Sequence, residues 1–301
     1  MNDSHPGAAG ESPPVPNDRQ SRRVPRTVIA GAVIVAVFAF IAWNQWRRPQ
    51  LQAELIEQIR AAGGFVQTEA PPSTGERIEG LRSGVKWEDG GLRSGAKWED
   101  SYTEVGLYGP DMTGDWLRAH DNLSALGITR LKLSETGITG DELARLIAAH
   151  PIHVLELREQ DLNDSTVEAL AASPKLNTLE LRDSPLTDAQ FPRLPLEQLD
   201  ELLINGTEVT SAGLAPLQRA KVLTFLTLDG RQFDESAAKL VASLPSLQYL
   251  ELVGTDVTDE DLLQLYGMTK LSAITLIRTS VTDEGVTALE TALPECVVGV
   301  R

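Results

Sequence analysis

The chain has 301 residues, a net charge of −16 and 42% hydrophobic residues, enough apolar material for a sizeable core. Residues 1–50 carry six arginines against three acids, +3, which leaves −19 for the rest; that sign argues against binding a phosphate backbone, which needs Lys/Arg clusters. The single cysteine, Cys296, excludes an intrachain disulfide and reads as a buried structural thiol. The acidity is read as a device for solubility, with an acidic face for a basic partner as the alternative.

Residues 1–26 are rich in Pro, Ser, Asn, Asp and Gly and read as a disordered cytoplasmic tail. Val28 to Trp43 is an uncharged apolar run inside a predicted transmembrane signal anchor, residues 27–46. Arg19, Arg22, Arg23 and Arg26 precede it and only Arg47 and Arg48 follow closely, so the positive-inside rule keeps the N-terminus in the cytoplasm and exports the rest. A cleaved signal peptide is the alternative, with a weak small-residue site at Val37-Phe38-Ala39. Both readings export the C-terminal domain, and the anchor places it at a bacterial inner membrane, single-pass.

Residues 47–101 form a cap region. Leu51, Leu55, Ile56 and Ile59 give an amphipathic helix from Gln50 to Ala62, ended by Gly63-Gly64, and Phe65 to Thr68 reads as a strand. Residues 70–79 read as linker. GLRSGVKWEDG at 80–90 then recurs as GLRSGAKWEDS at 91–101. One reading is a contact motif displayed twice, with Trp87 and Trp98 as anchors. The other, preferred, is a duplication tolerated in a loop.

From Tyr102 onward the pattern L-x-x-L-x-L-x-x-T-x-V-T-D-x-x-L-x-x-L recurs. Its second apolar position falls at Val105, Leu131, Leu155, Leu179, Leu202, Leu226, Leu250, Ile274 and Val298, with spacings of 26, 24, 24, 23, 24, 24, 24 and 24. A fixed period of this length means a solenoid. In each unit, alternation such as Leu250/Leu252 predicts a half-buried strand, and a Thr N-cap followed by acids, as at Thr258-Asp259-Glu260, predicts a short helix. Residues 102–301 are thus eight repeats plus a final strand.

These motifs resemble the leucine-rich repeat family, in the membrane-anchored L-x-L-x-x-T-x-V-T-D subtype of planctomycete-like bacteria. The resemblance implies a right-handed α/β solenoid with a parallel sheet on the concave face and short helices outside. It also implies that the helix, Gly-Gly and strand of residues 50–68 start the cap. A ladder of small hydroxyl residues is expected five positions after each strand leucine; Pro110, Gln160 and Arg231 depart from it, and a local bulge is expected at Arg231.

No metal site, cofactor loop or catalytic motif is read. His150 and His153 lack further ligands, His120 takes a core leucine position, and the recurrent Thr-Asp-Glu runs are helix caps. The chain is therefore read as non-enzymatic. Side chains between the core leucines face the concave side. Glu156, Arg158, Glu180 and Arg182 are expected to pair across strands. Leu203, Phe225, Tyr249, Val253 and Ile277, with Glu251 among the acids at the rim, form a candidate exposed apolar patch for a protein partner; ordinary strand propensity is the competing reading. The last strand presents an uncovered edge, which invites self-association. The function read is protein–protein interaction through the concave sheet; a structural or self-assembling envelope component is the alternative.

Overall fold

The computed structural model describes residues 50–69, 86–88, 91–93 and 102–301. The segments read as tail, membrane anchor and linker lie outside these residues, as do Trp98 and most of both copies of the duplicated motif. Among the described residues no helix is long and apolar enough to cross a membrane.

The repeat builds nine strands: β4 (Tyr102–Tyr108), β5 (Arg130–Ser134), β6 (Val154–Arg158), β7 (Thr178–Arg182), β8 (Glu201–Leu203), β9 (Phe225–Asp229), β10 (Tyr249–Val253), β11 (Ala273–Ile277) and β12 (Val297–Val300). They stand in chain order and pair parallel, each residue opposite its equivalent one repeat later: Leu131, Leu155, Leu179, Leu202, Leu226, Leu250 and Ile274 form one row. Alternation along each strand turns this row and its i+2 companions to one side, where they are buried in a single core. No strand or helix can bury its apolar side alone; stacking the units does it. The result is a leucine-rich-repeat solenoid.

The convex layer is less uniform than one helix per repeat. Helices α2 (Gly114–Ala119), α3 (Gly140–Ala149), α4 (Asp164–Ala171), α5 (Glu235–Ala242), α6 (Asp259–Leu262) and α7 (Asp283–Ala292) follow the expectation. Between α4 and α5 the chain forms only 3-10 turns, Phe191–Arg193 and Ser211–Arg219. Pro192, Pro195 and Pro216 lack the N–H an α-helix requires. The same stretch holds the one 23-residue spacing, and β8 is shortened to three residues.

The predicted caps form, and they also join neighbouring repeats. Thr113, Asn163, Asp234 and Thr282 accept from backbone N–H groups of the first helical turn, and Thr139 and Thr258 make capping boxes with Glu142 and Asp261. Beyond that, the Asp259 carboxylate accepts from both the N–H and the hydroxyl of Thr282, one repeat on, at 2.9 and 2.7 Å. Asp188 does the same for Thr210 at 2.7 Å each, and Asp141 accepts from Asn163 at 2.8 Å.

The inner ladder is carried by amides as well as hydroxyls. Gln160 donates to the Arg158 and Glu159 carbonyls and accepts from Thr136, and Ser184 donates to the Arg182 carbonyl. At Arg231 the expected break occurs and its remedy is visible. Arg231 is exposed, and Gln232 turns inward fully buried, donating to the Ile204 carbonyl at 2.7 Å and to Thr207 at 3.0 Å. An amide reaches further than a hydroxyl and fills the place from one residue later.

At the N-terminal end, helix α1 (described over 50–61) puts Leu55 and Ile59 into the core, and strand β1 (Phe65–Glu69) pairs antiparallel with β4. The sheet is thus not wholly parallel. Two short strands, β2 (Lys86–Glu88) and β3 (Gly91–Arg93), pair with each other outside it. Gly64 permits the close turn, since a Cβ there would lie 2.5 Å from the Gly106 carbonyl. Phe65 lies over Gly106 and stacks on Tyr108 with centroids 5.9 Å apart, closing that end of the open face.

Candidate interaction surface

Helices cover one face of the sheet, so the other face, set by the residues between the core leucines, is where side chains vary. Its two halves are built differently.

On β4 to β7 the face is charged. Arg130 and Lys132 both reach Glu104, at 3.0 and 2.9 Å, and Lys132 extends to Glu156 at 3.4 Å. Glu180 pairs with Arg182 on its own strand at 2.6 Å, and Arg158 lies nearest Glu159 at 3.8 Å. The predicted cross-strand pairing of Glu156, Arg158, Glu180 and Arg182 is therefore corrected. The register sets Glu156 opposite Glu180 and Arg158 opposite Arg182, like charge beside like, so attraction runs along strands or back to Lys132. Tyr108, at the margin of this network, has its hydroxyl pKa raised by burial and then by Glu156 and Glu104.

On β8 to β11 the face is apolar. The register sets Phe225, Tyr249 and Ala273 side by side, with Leu203 one strand before. Leu203, Phe225 and Ala273 form a cluster separate from the leucine core, with Tyr249 packed against it. The Phe225 and Tyr249 rings stack with centroids 6.2 Å apart. Of the residues singled out from sequence, Leu203, Phe225 and Tyr249 come together. Val253 and Ile277 are neighbours in register but stand outside the cluster, at the far ends of their strands. Ala273 joins without having been singled out; a small side chain gives no signal in a sequence column.

The patch is not open to solvent in the way an exposed surface would be. Phe225 is 2% exposed, Leu203 7%, and Glu251 3%, while Tyr249, Val253 and Ile277 are half-buried. By contrast Val297 and Val300 on β12 are 66% and 55% exposed, and among the described residues no strand pairs with the outer edge of β12.

Elsewhere the chemistry is sparse. His120 is half-buried, not a core substitute: it stacks on Trp116 at 4.1 Å, with Nδ1 2.7 Å from the Trp116 carbonyl. His150 is buried, which lowers its pKa, beside a cleft of about 270 Å³ between the C-terminal ends of α3 and α4. Burial pushes the Cys296 thiol up to about 11, as expected of an inert core cysteine. Among the described residues no three His, Cys, Asp or Glu side chains gather as a metal site.

No protein-family model and no curated protein matches the chain. Among solved structures it is similar to a protein from Bacteroides fragilis, at 16% identity over 61% of this chain and 68% of that one, with a TM-score of 0.43. It is also similar to an internalin from Listeria monocytogenes, at 17% identity over 59% of this chain and 69% of that one, with a TM-score of 0.37.

Proposed function

We propose that the protein is a non-enzymatic, membrane-anchored, exported leucine-rich-repeat module of the planctomycete-like subtype, which binds a protein partner through the open face of its sheet. The observation that carries this reading is the apolar cluster on β8 to β11. Phe225 and Tyr249 stack on the face away from the leucine core, between carboxylate-bearing positions. Aromatic anchors inside a polar margin are the usual make-up of a protein-binding patch. Leu203, Phe225 and Tyr249 are its centre; Glu251, Val253 and Ile277 flank it. The anchor at residues 27–46 holds the module at the outer side of the inner membrane.

The test is crosslinking of the full chain in its native membrane, with Phe225→Ser and Tyr249→Ser compared against wild type. Loss of a crosslinked partner is expected in both, and Tyr249→Ser, which removes a half-buried ring, separates loss of the partner from the loss of stability expected at the buried Phe225. An unchanged partner profile, with folding intact, removes the patch from consideration. The alternative reading, a self-assembling envelope component, draws on the exposed Val297 and Val300, and predicts crosslinks to further copies of the chain that Val297→Lys abolishes.

A further inference from the structure

The turn from α3 into β6 lies beside the turn from α4 into β7, and the cleft of about 270 Å³ opens between them. Its origin is side-chain size. Six positions before the strand leucine, the later repeats hold Leu196, Leu244 and Met268, each buried in the equivalent turn, with Ala220 as the one small residue. In the two repeats at the cleft that position is Ala149 and then Ser173. Two adjacent turns thus lack a long filler, and the gap forgoes the contacts that close packing would supply.

The walls are aliphatic: Ile147, Pro151, Ile152, Ala169 and Pro174. Three polar side chains border the space. Ser173 already donates its hydroxyl hydrogen to the Ala169 carbonyl at 2.8 Å. His150 is fixed at the end of α3 by its own backbone, its N–H donating to the Ile147 carbonyl and its carbonyl accepting from the Ile152 N–H. Its side chain is buried, the residue being 8% exposed, and Nδ1 is sealed from solvent without a hydrogen-bond partner among the described residues. Burial keeps the ring neutral. A sealed N–H with no acceptor is disfavoured more than a bare lone pair, so the hydrogen sits on Nε2. That nitrogen is the one left for a ligand, and it too has no acceptor among the described residues. Lys175 stands exposed at the rim, without an ion pair among the described residues.

We propose that this cleft is a binding site for a small aliphatic carboxylate. The hydrocarbon lies between the two turns, where Leu196 or Leu244 sits in later repeats. The carboxylate accepts from His150 Nε2–H and from the Lys175 ammonium. A bare hydrocarbon would leave the imidazole donor unsatisfied, and a cation would meet Lys175. The C-terminal ends of α3 and α4 carry partial negative charge, which sets the carboxylate toward the Lys175 rim and the hydrocarbon between the helix ends. The site is separate from the open face of the sheet and stands whether or not that face binds a protein.

The experiment is a titration of the full chain in detergent with isocaproate, read by nitrogen NMR of histidine-labelled protein. His150→Gln assigns the His150 signal among the four histidines. An Nε2–H tautomer and a saturable shift of that signal are expected. Ser173→Leu, which restores the filler, abolishes the shift in the same detergent. Lys175→Met, at an exposed position, weakens binding about tenfold and serves if Ser173→Leu does not fold. Isohexylamine, the same skeleton with the opposite charge, does not compete. No saturable shift, an Nδ1–H tautomer, or wild-type affinity in folded Ser173→Leu or in Lys175→Met overturns the site. Competition by the amine overturns the carboxylate.

Discussion

The two halves of the sheet share one scaffold and differ on one face. From β4 to β7 the residues between the leucines include ions that pair with one another: Arg130 and Lys132 with Glu104, Lys132 with Glu156, and Glu180 with Arg182. From β8 to β11 they are Leu203, Phe225, Tyr249 and Ala273, which pack together and leave Glu251 among threonines, Thr227 and Thr275, on the flanking strands. The leucine rows do not change across that boundary. A solenoid therefore fixes its backbone with one set of positions and leaves the alternate set free, and the second half uses that freedom for an apolar cluster.

The largest effect that would break this comparison is at Phe225. With its ring buried, Phe225→Ala lowers the unfolding free energy by about 3–5 kcal/mol, whereas Arg158→Ala on the exposed part of the charged half stays within about 0.5 kcal/mol. Urea titration of the soluble fragment 47–301 measures both; equal small losses would mean that the apolar half is as open as the charged one. Next in size are the buried amides, one in each half. Gln232→Leu removes one of two donors to the Ile204 carbonyl, which keeps Thr207, and Gln160→Leu removes the amide donor to the Glu159 carbonyl and one of two to that of Arg158, which keeps the Glu135 N–H, each costing about 0.5–1.5 kcal/mol per bond lost. Similar losses at the two sites in the same titration would confine the difference between the halves to the open face.

Salt separates the halves more gently. Lys132→Met removes the bridge between Glu104 and Glu156 and costs about 1 kcal/mol in dilute buffer, fading at about 1 M NaCl. Phe225→Ala keeps its cost at both ionic strengths, and a melt in each buffer compares them. The smallest effect is the pH response shared by both halves. The carboxyls of Asp141, Asp164, Asp234 and Asp259 are held below the usual 3.8, first by hydrogen bonds from the side chains of Asn163, Gln190, Ser211 and Thr282 respectively. A depressed folded-state pKa gives stability that is complete above the unfolded value and lost as pH falls through the folded one. Stability should thus drop below pH 3.8, and Asp259→Asn should flatten part of that drop; a thermal melt series down to about pH 2 reads it.

Much of the fold was legible because periodicity survives any local irregularity. The strand leucines, the caps and the adjacency of Phe225 and Tyr249 all follow from counting in twos and twenty-fours. Ion pairing was not legible in the same way. Glu156 and Arg158 look like partners for Glu180 and Arg182 until register sets like against like. Gln232 was hidden because the ladder was read at a fixed offset, while the chain swings Arg231 out and admits the next residue. The 3-10 turns were announced by Pro192, Pro195 and Pro216, but a hydrophobic offset does not distinguish an α-turn from a 3-10 turn.

By itself, then, the sequence determined the repeat, the inward leucines, the helix starts and the acidic balance, because each rests on local geometry that recurs at a fixed spacing. Tertiary structure decided what covers what. It gathered Ala273 into the cluster and left Val253 and Ile277 outside it. Those outcomes depend on which surfaces meet when the chain folds back on itself, and no spacing along the chain encodes that meeting.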